Sequence, residues 1–163
     1  MNKKVAFLHN HLCICIIWLA GMLAGMITVF RVGASVTPSL FGEFFMSTSF
    51  LSHLLASIFP IMLIYIGRWL ENDYFIYTIL FLNGLLFGFC SLYLSSLMDL
   101  PVYYVHLFGM FSQGCNSLLL LILAFGIMTC KKQNFSAVHY LVFPVSVMIC
   151  LADYYIFLKC FRI

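Results

Sequence analysis

The stretch VAFLHNHLCICIIWLAGMLAGMITVF, residues 5–30, decides the fold because it contains no Asp, Glu, Lys or Arg. A helix needs about 20 apolar residues to cross the hydrocarbon core of a bilayer. Four more uncharged stretches follow, at residues 44–67, 74–98, 100–130 and 133–152. The charged side chains lie in the gaps, with Asp153 as the clear exception. A soluble domain has no reason to exclude charge in this way, so the sequence predicts an integral membrane protein.

The composition supports the same prediction. Of the 163 residues, 64% are hydrophobic and 8% are charged, whereas globular domains carry about 25% charged residues. Five crossings use nearly the whole chain, which indicates an all-α, polytopic transmembrane helix bundle forming one integral membrane domain over residues 1–163. The predicted crossings are 12–30, 50–67, 74–97, 102–129 and 138–158. The bilayer is an expected partner, and no basic run is long enough to predict nucleic-acid binding.

Two segments allow more than one structure. Crossing four is longer than a span requires and is polar around residues 112–117, so a broken or re-entrant fourth element would explain both features. In the connection between crossings one and two, residues 38–45 begin at the Pro of the Thr37-Pro38 pair and include three Phe. They form either a short interfacial helix or an irregular loop.

The placement of basic residues predicts the topology. With the N-terminus in the cytoplasm, five basic residues are cytoplasmic and three are outside. The cytoplasmic residues are Lys3, Lys4, Arg68, Lys131 and Lys132, and the outer residues are Arg31, Lys159 and Arg162. The excess predicts a cytoplasmic N-terminus and an outer C-terminus. Because His9, Asn10 and His11 interrupt the apolar run and no clear Ala-x-Ala site follows, the first crossing is expected to be an uncleaved signal anchor.

Two Gly-x-x-x-Gly motifs predict helix contacts. Gly21 and Gly25 lie in crossing one, and Gly84 and Gly88 lie in crossing three. Small residues four apart share one helix face and let another backbone approach closely. These four glycines are therefore predicted to pack helices together or to bind partner membrane proteins.

Polar side chains inside the crossings have two interpretations. Asn83, Gln113 and Asn116 either hydrogen-bond between helices or form a polar site for a small solute. Asp153 lies beside Tyr154-Tyr155, so it either anchors the helix at the outer interface or handles a proton or ion.

No metal site, cofactor or catalytic centre is predicted. The most metal-like run is His9-Asn10-His11-Leu12-Cys13-Ile14-Cys15, but its two-residue spacing places alternate side chains on opposite sides of a helix. The three other histidines have no nucleophile at a recognisable spacing. The seven cysteines are expected to be free thiols.

The order of crossings and their motifs resembles the stage II sporulation protein M family of bacterial membrane proteins. The resemblance rests on Ala20-Gly21-Met22-Leu23-Ala24-Gly25, on Leu82 to Phe89 around Asn83, on Ser112 to Leu118 around Gln113 and Asn116, and on Asp153 before two tyrosines. The family often has Pro-Gln-Asn in the fourth element and Glu in the last. Here Gly114-Cys115 separate Gln113 from Asn116, and Asp replaces Glu.

The resemblance implies a non-enzymatic scaffold in the bacterial plasma membrane. Such a scaffold would organise a peptidoglycan-degrading complex during sporulation and engulfment. Its expected partners are other membrane proteins, among them peptidoglycan hydrolases, and a second copy of the chain. The alternative from the residues is a small-solute transporter, or its substrate-binding membrane subunit, with the amides and Asp153 lining a cavity.

Overall fold

The computed structural model of the chain describes residues 3–32, 50–95, 103–129 and 137–160. All of these residues are helical except a short turn at 70–72, and no strand occurs among them. The predicted all-α helical bundle is confirmed. Its helices are α1 (Lys3–Val32), α2 (Phe50–Trp69), α3 (Asp73–Ser95), α4 (Tyr103–Thr129) and α5 (Ala137–Cys160).

Within the described residues, three helices are long and apolar enough to cross a membrane. Their apolar windows are Leu12–Arg31 in α1, Asp73–Leu92 in α3 and Met110–Met128 in α4. Shorter apolar windows lie in α2, at Ser57–Trp69, and in α5, at Tyr140–Ala152. At 1.5 Å per residue, even the 20 residues of α2 extend about 30 Å, the thickness of a bilayer core.

The fourth element corrects one expectation. Tyr103–Thr129 is one continuous α-helix of 27 residues, neither broken nor re-entrant. Its polar residues do not require a break because Ser112, Asn116 and Ser117 are buried against other helices. The helices α2 and α5 also continue through their internal prolines, Pro60 and Pro144. The proposed interfacial helix at 38–45 lies outside the described residues.

The bundle is apolar on its outside and carries polar groups inside. Large apolar side chains point outward from every helix, for example Leu23, Phe59, Leu82, Leu118 and Met148. The buried polar side chains are Ser57, Asn83, Ser112, Asn116, Ser117 and Ser146, packed within a core of Ile, Leu, Val, Met and Ala. A water-soluble bundle has the reverse arrangement, so lipid is the natural solvent of this surface.

Helices α1 and α3 run parallel. A Cβ on Gly21 would meet the backbone of Phe81 and Leu85, and one turn later a Cβ on Gly25 would meet Leu85 and Phe89. Contacts therefore advance in the same direction along both helices. The chain must return between them, and α2 is the helix that does so.

The remaining contacts fix the other directions. Ser57 of α2 pairs with Asn116 of α4, and Arg68 pairs with Ile127, both with a sequence separation of 59. Helices α2 and α4 are therefore parallel and in constant register. On α5, Ser146 contacts Asn116, whereas Tyr140 lies close to Tyr65, nearer the end of α2. Helix α5 thus runs opposite to α2 and α4, and consecutive helices alternate in direction.

A tight turn joins α2 to α3. The Asn72 N–H donates to the Gly67 carbonyl at 3.1 Å and the Glu71 N–H to the Arg68 carbonyl at 3.0 Å, the paired bonds of a Schellman motif. Glu71 occupies its left-handed position with φ 51°. Asn72 then caps α3, because its Oδ1 accepts the Phe75 N–H at 3.1 Å. This turn holds α2 and α3 as a hairpin.

Candidate functional site

The structure brings the four glycines of the two motifs together in one crossing. Each glycine lies against a backbone carbonyl of the opposite helix, so that an added Cβ would overlap it. Those carbonyls belong to Phe81 for Gly21, Leu85 for Gly25, Trp18 for Gly84 and Met22 for Gly88. Glycine is required at these positions because neither backbone can move away without separating α1 from α3.

A hydrogen bond and a ring contact lie beside the glycine crossing. Trp18 Nε1 of α1 donates to Asn83 Oδ1 of α3 at 3.0 Å. The Trp18 ring also packs on Phe87, with 5.5 Å between ring centroids and a 40° tilt. Asn83 is buried, so its carbonyl oxygen needs the indole as a donor. Asn83 is therefore an interhelix contact within one chain.

Replacing Trp18 by Phe should separate the hydrogen bond from the ring contact. Trp18→Phe keeps an aromatic ring next to Phe87 but removes the donor to Asn83 Oδ1. We expect the free energy of unfolding to fall by about 1 kcal/mol, since one buried acceptor loses its partner. Unfolding by SDS titration in mixed micelles measures the change. Exposed Leu19→Ala on the same helix is the control and should change stability less. Equal stability of Trp18→Phe and the wild type would contradict the role of the indole N–H.

A second polar centre joins three helices around Asn116 of α4. Its Nδ2 donates to Ser57 Oγ of α2 at 3.1 Å and approaches Cys150 Sγ of α5 at 3.8 Å. Its Oδ1 accepts the Ser146 hydroxyl of α5 at 2.9 Å. All four residues are buried. Both ends of the amide are thus bonded to neighbouring helices.

Both centres lie near the middle of the bundle's depth. Arg68 Nη1 donates to the Ile127 carbonyl at 3.1 Å and so caps the end of α4 beside the α2–α3 turn. Asn116 precedes that capped end by about three turns, or about 16 Å, and Gly84 follows the start of α3 by the same distance. This is half of a core about 30 Å thick.

Of the other predicted site residues, Gln113 does not join these centres among the described contacts. Gln113 is half-buried on α4, and no hydrogen bond links it to Asn83 or Asn116 within the described part of the chain. Asp153 lies in helix α5, but its side chain is outside the described residues. Among the described side chains, no group of three or more His, Cys, Asp or Glu is placed to hold a metal ion.

Four residues of these centres were missed by sequence reasoning: Trp18, Ser57, Ser146 and Cys150. A single Ser or Cys in an apolar helix is common and often bonds its own helix, as Ser91 does with the Gly88 carbonyl at 2.8 Å. One signal was present for Trp18. Tryptophan favours the membrane interface, so an indole in the middle of a crossing indicates that its N–H has a buried acceptor.

No protein-family model matches this chain, and neither the curated proteins nor the solved structures compared with it gave a match.

Proposed function

We propose that this chain is a non-enzymatic, multi-pass scaffold of the bacterial plasma membrane that organises other membrane proteins. The observation that carries the proposal is how the buried amides are used. The Asn83 carbonyl oxygen accepts from Trp18, and both ends of the Asn116 amide bond to Ser57 and Ser146. Polar groups at mid-depth that tie helices together make a defined body with an apolar exterior. Such a body suits binding within the membrane better than chemistry.

The alternating helix directions support five crossings. If α1 and α3 cross in the same direction, α2 must carry the chain back between them, and its length of about 30 Å is sufficient. Helix α4 runs parallel to α2, and α5 runs opposite to both. Each of these helices therefore also carries the chain across in the direction opposite to the helix before it. An odd number of crossings puts the termini on opposite sides. The distribution of Lys and Arg then favours a cytoplasmic N-terminus and an outer C-terminus.

Partners have to bind the outer surface of the bundle rather than the glycine faces. Gly21, Gly25, Gly84 and Gly88 are buried between α1 and α3 of one chain. Outward apolar side chains of α5 are available to a neighbouring helix, among them Leu141, Met148 and Leu151. The family resemblance suggests peptidoglycan hydrolases and their membrane anchors as partners during sporulation and engulfment.

The transporter alternative has less support. It requires the predicted polar residues to line one cavity. Asn83 bonds to α1, whereas Asn116 bonds to α2 and α5. These two amides therefore have different neighbours and do not converge on one solute.

Site-specific photo-crosslinking tests the scaffold proposal. A photoreactive amino acid at outward Met148 should capture an integral membrane protein in cells, identified by mass spectrometry as a wall hydrolase or its anchor. The same photoreactive amino acid at Leu23, which is outward on α1, tests whether the partner also binds α1 or only α5. The control is Ile61, which is fully buried and should capture only this chain. Recovery of lipid adducts alone from both outward positions would refute the proposal, and adducts of twice the chain mass would identify a homo-oligomer.

A further inference from the structure

The hydroxyl of Ser117 is a buried polar group that stands out among the described residues. Ser117 is 1% exposed, and its Oγ has no hydrogen bond among the residues that the structure describes. An unpaired hydroxyl in an apolar interior is costly. Such groups in native proteins are nearly always bonded to protein or to ordered water.

Asn83 carries side-chain donors that its bond to Trp18 does not occupy. Its Oδ1 accepts the Trp18 indole N–H, a bond that uses neither hydrogen of the side-chain Nδ2. A primary amide carries two N–H donors in addition to its carbonyl. Because Asn83 is 6% exposed, bulk solvent has little access to them.

The helix register places Ser117 and Asn83 at the same level of one interface. Gly114 of α4 lies against Phe87 of α3, with 3.6 Å between the position of a Cβ on Gly114 and the Phe87 ring. The helices α3 and α4 are antiparallel. Ser117 is about one turn after Gly114, and Asn83 about one turn before Phe87. Both residues are thus displaced from that contact in the same direction, toward the α2–α3 turn.

We infer that an ordered water molecule binds at this level of the α3–α4 interface, accepting from Asn83 Nδ2 and hydrogen-bonding to Ser117 Oγ. Buried waters typically make about three hydrogen bonds to groups that would otherwise be unsatisfied. A cation does not suit the site because the Asn83 nitrogen offers only donors. An anion at this depth would need a positive partner, which neither side chain provides. The two side chains therefore suit a neutral hydrogen-bonding molecule, and water is the smallest such molecule. The inference is independent of the scaffold proposal.

Water-edited solid-state NMR of the full chain in lipid bilayers tests this inference. Magnetisation from water should reach the side-chain amide of Asn83 in the wild type. The matched reference is Asn116, an amide of the same kind at the same depth, whose groups bond to Ser57, Cys150 and Ser146. In Ser117→Ala, transfer to Asn83 should fall to the level of Asn116. Wild-type transfer to Asn83 that does not exceed transfer to Asn116 would overturn the inference.

The sign of the stability change in Ser117→Ala gives an independent readout. If water bridges the two side chains, removing the hydroxyl weakens the bridge, and Tm should fall by about 2–4 °C. If the hydroxyl is simply unpaired, its removal relieves a desolvation penalty. An unchanged or raised Tm would therefore count against the bound water, and a lowered Tm supports it.

Discussion

Gly88→Ala should be far less stable than Gly114→Ala, although each variant adds one methyl group to a helix of the same bundle. A Cβ at Gly88 would overlap the Met22 carbonyl oxygen and lie 2.8 Å from its carbonyl carbon. Both atoms belong to the backbone and cannot rotate away. We expect a loss in the free energy of unfolding of about 3 kcal/mol, at the upper end for overpacking. SDS titration in mixed micelles measures this loss.

Gly114→Ala is the matched control for that prediction. Its Cβ would meet only the Phe87 ring, at 3.6 Å and 3.8 Å, which is ordinary van der Waals contact. Alanine also restricts the unfolded chain more than glycine does, so the control should be unchanged or up to about 1 kcal/mol more stable. Similar stability of the two variants would show that α1 and α3 are not in close backbone contact.

Asn116→Ala should cause the second large loss of stability. The substitution removes the donor to Ser57, the contact with Cys150 and the acceptor for Ser146, and it leaves two buried hydroxyls unpaired. Interhelix hydrogen bonds in membranes contribute about 0.6–1.7 kcal/mol each. With the added desolvation cost, we expect the free energy of unfolding to fall by about 2–4 kcal/mol. SDS titration in mixed micelles measures this fall, and the unfolding transition should also become less cooperative because α2, α4 and α5 are no longer joined.

A double-mutant cycle separates this network from general loss of packing. Ser146→Ala added to Asn116→Ala should cost less than Ser146→Ala alone, because its hydroxyl has already lost its partner. Leu118→Ala, two residues along the same helix and 61% exposed, should change stability by less than about 0.5 kcal/mol. Additive losses from Asn116→Ala and Ser146→Ala would contradict the network.

The sequence was sufficient to predict the helical bundle because exclusion of charge is a one-dimensional pattern. Uncharged windows of this length leave few alternatives to helices in lipid. The pairing of the glycine motifs was not predictable in the same way. Gly-x-x-x-Gly indicates close approach to some helix, but not whether that helix belongs to the same chain or to another. Gly21 contacts α3 and Gly84 contacts α1. This pairing forms because α2 runs in the opposite direction and so lets α1 and α3 lie parallel.

The fourth element shows why the middle of the bundle was harder to predict. A run of polar residues along the sequence resembles an interruption when only its hydropathy is considered. On a helix, Ser112 and Asn116 are four residues apart and share one face, and both are buried. Whether that face meets other helices or lipid depends on Ser57 and Ser146, which lie on distant segments. The sequence therefore named Gln113 and Asn116 together, but not which of them bonds to other helices or with which partners.

The parallel contact between α1 and α3 has a consequence for biogenesis. Trp18 and Asn83 are 65 residues apart in sequence, so α1 enters the bilayer before its binding surface on α3 has been synthesised. During that interval Gly21 and Gly25 lack the helix backbone that they contact in the folded chain. The α2–α3 hairpin, closed by the short turn at Leu70, Glu71 and Asn72, then delivers Gly84 and Gly88 to the membrane. The docking of α1 on α3 therefore has to wait until the hairpin has been synthesised.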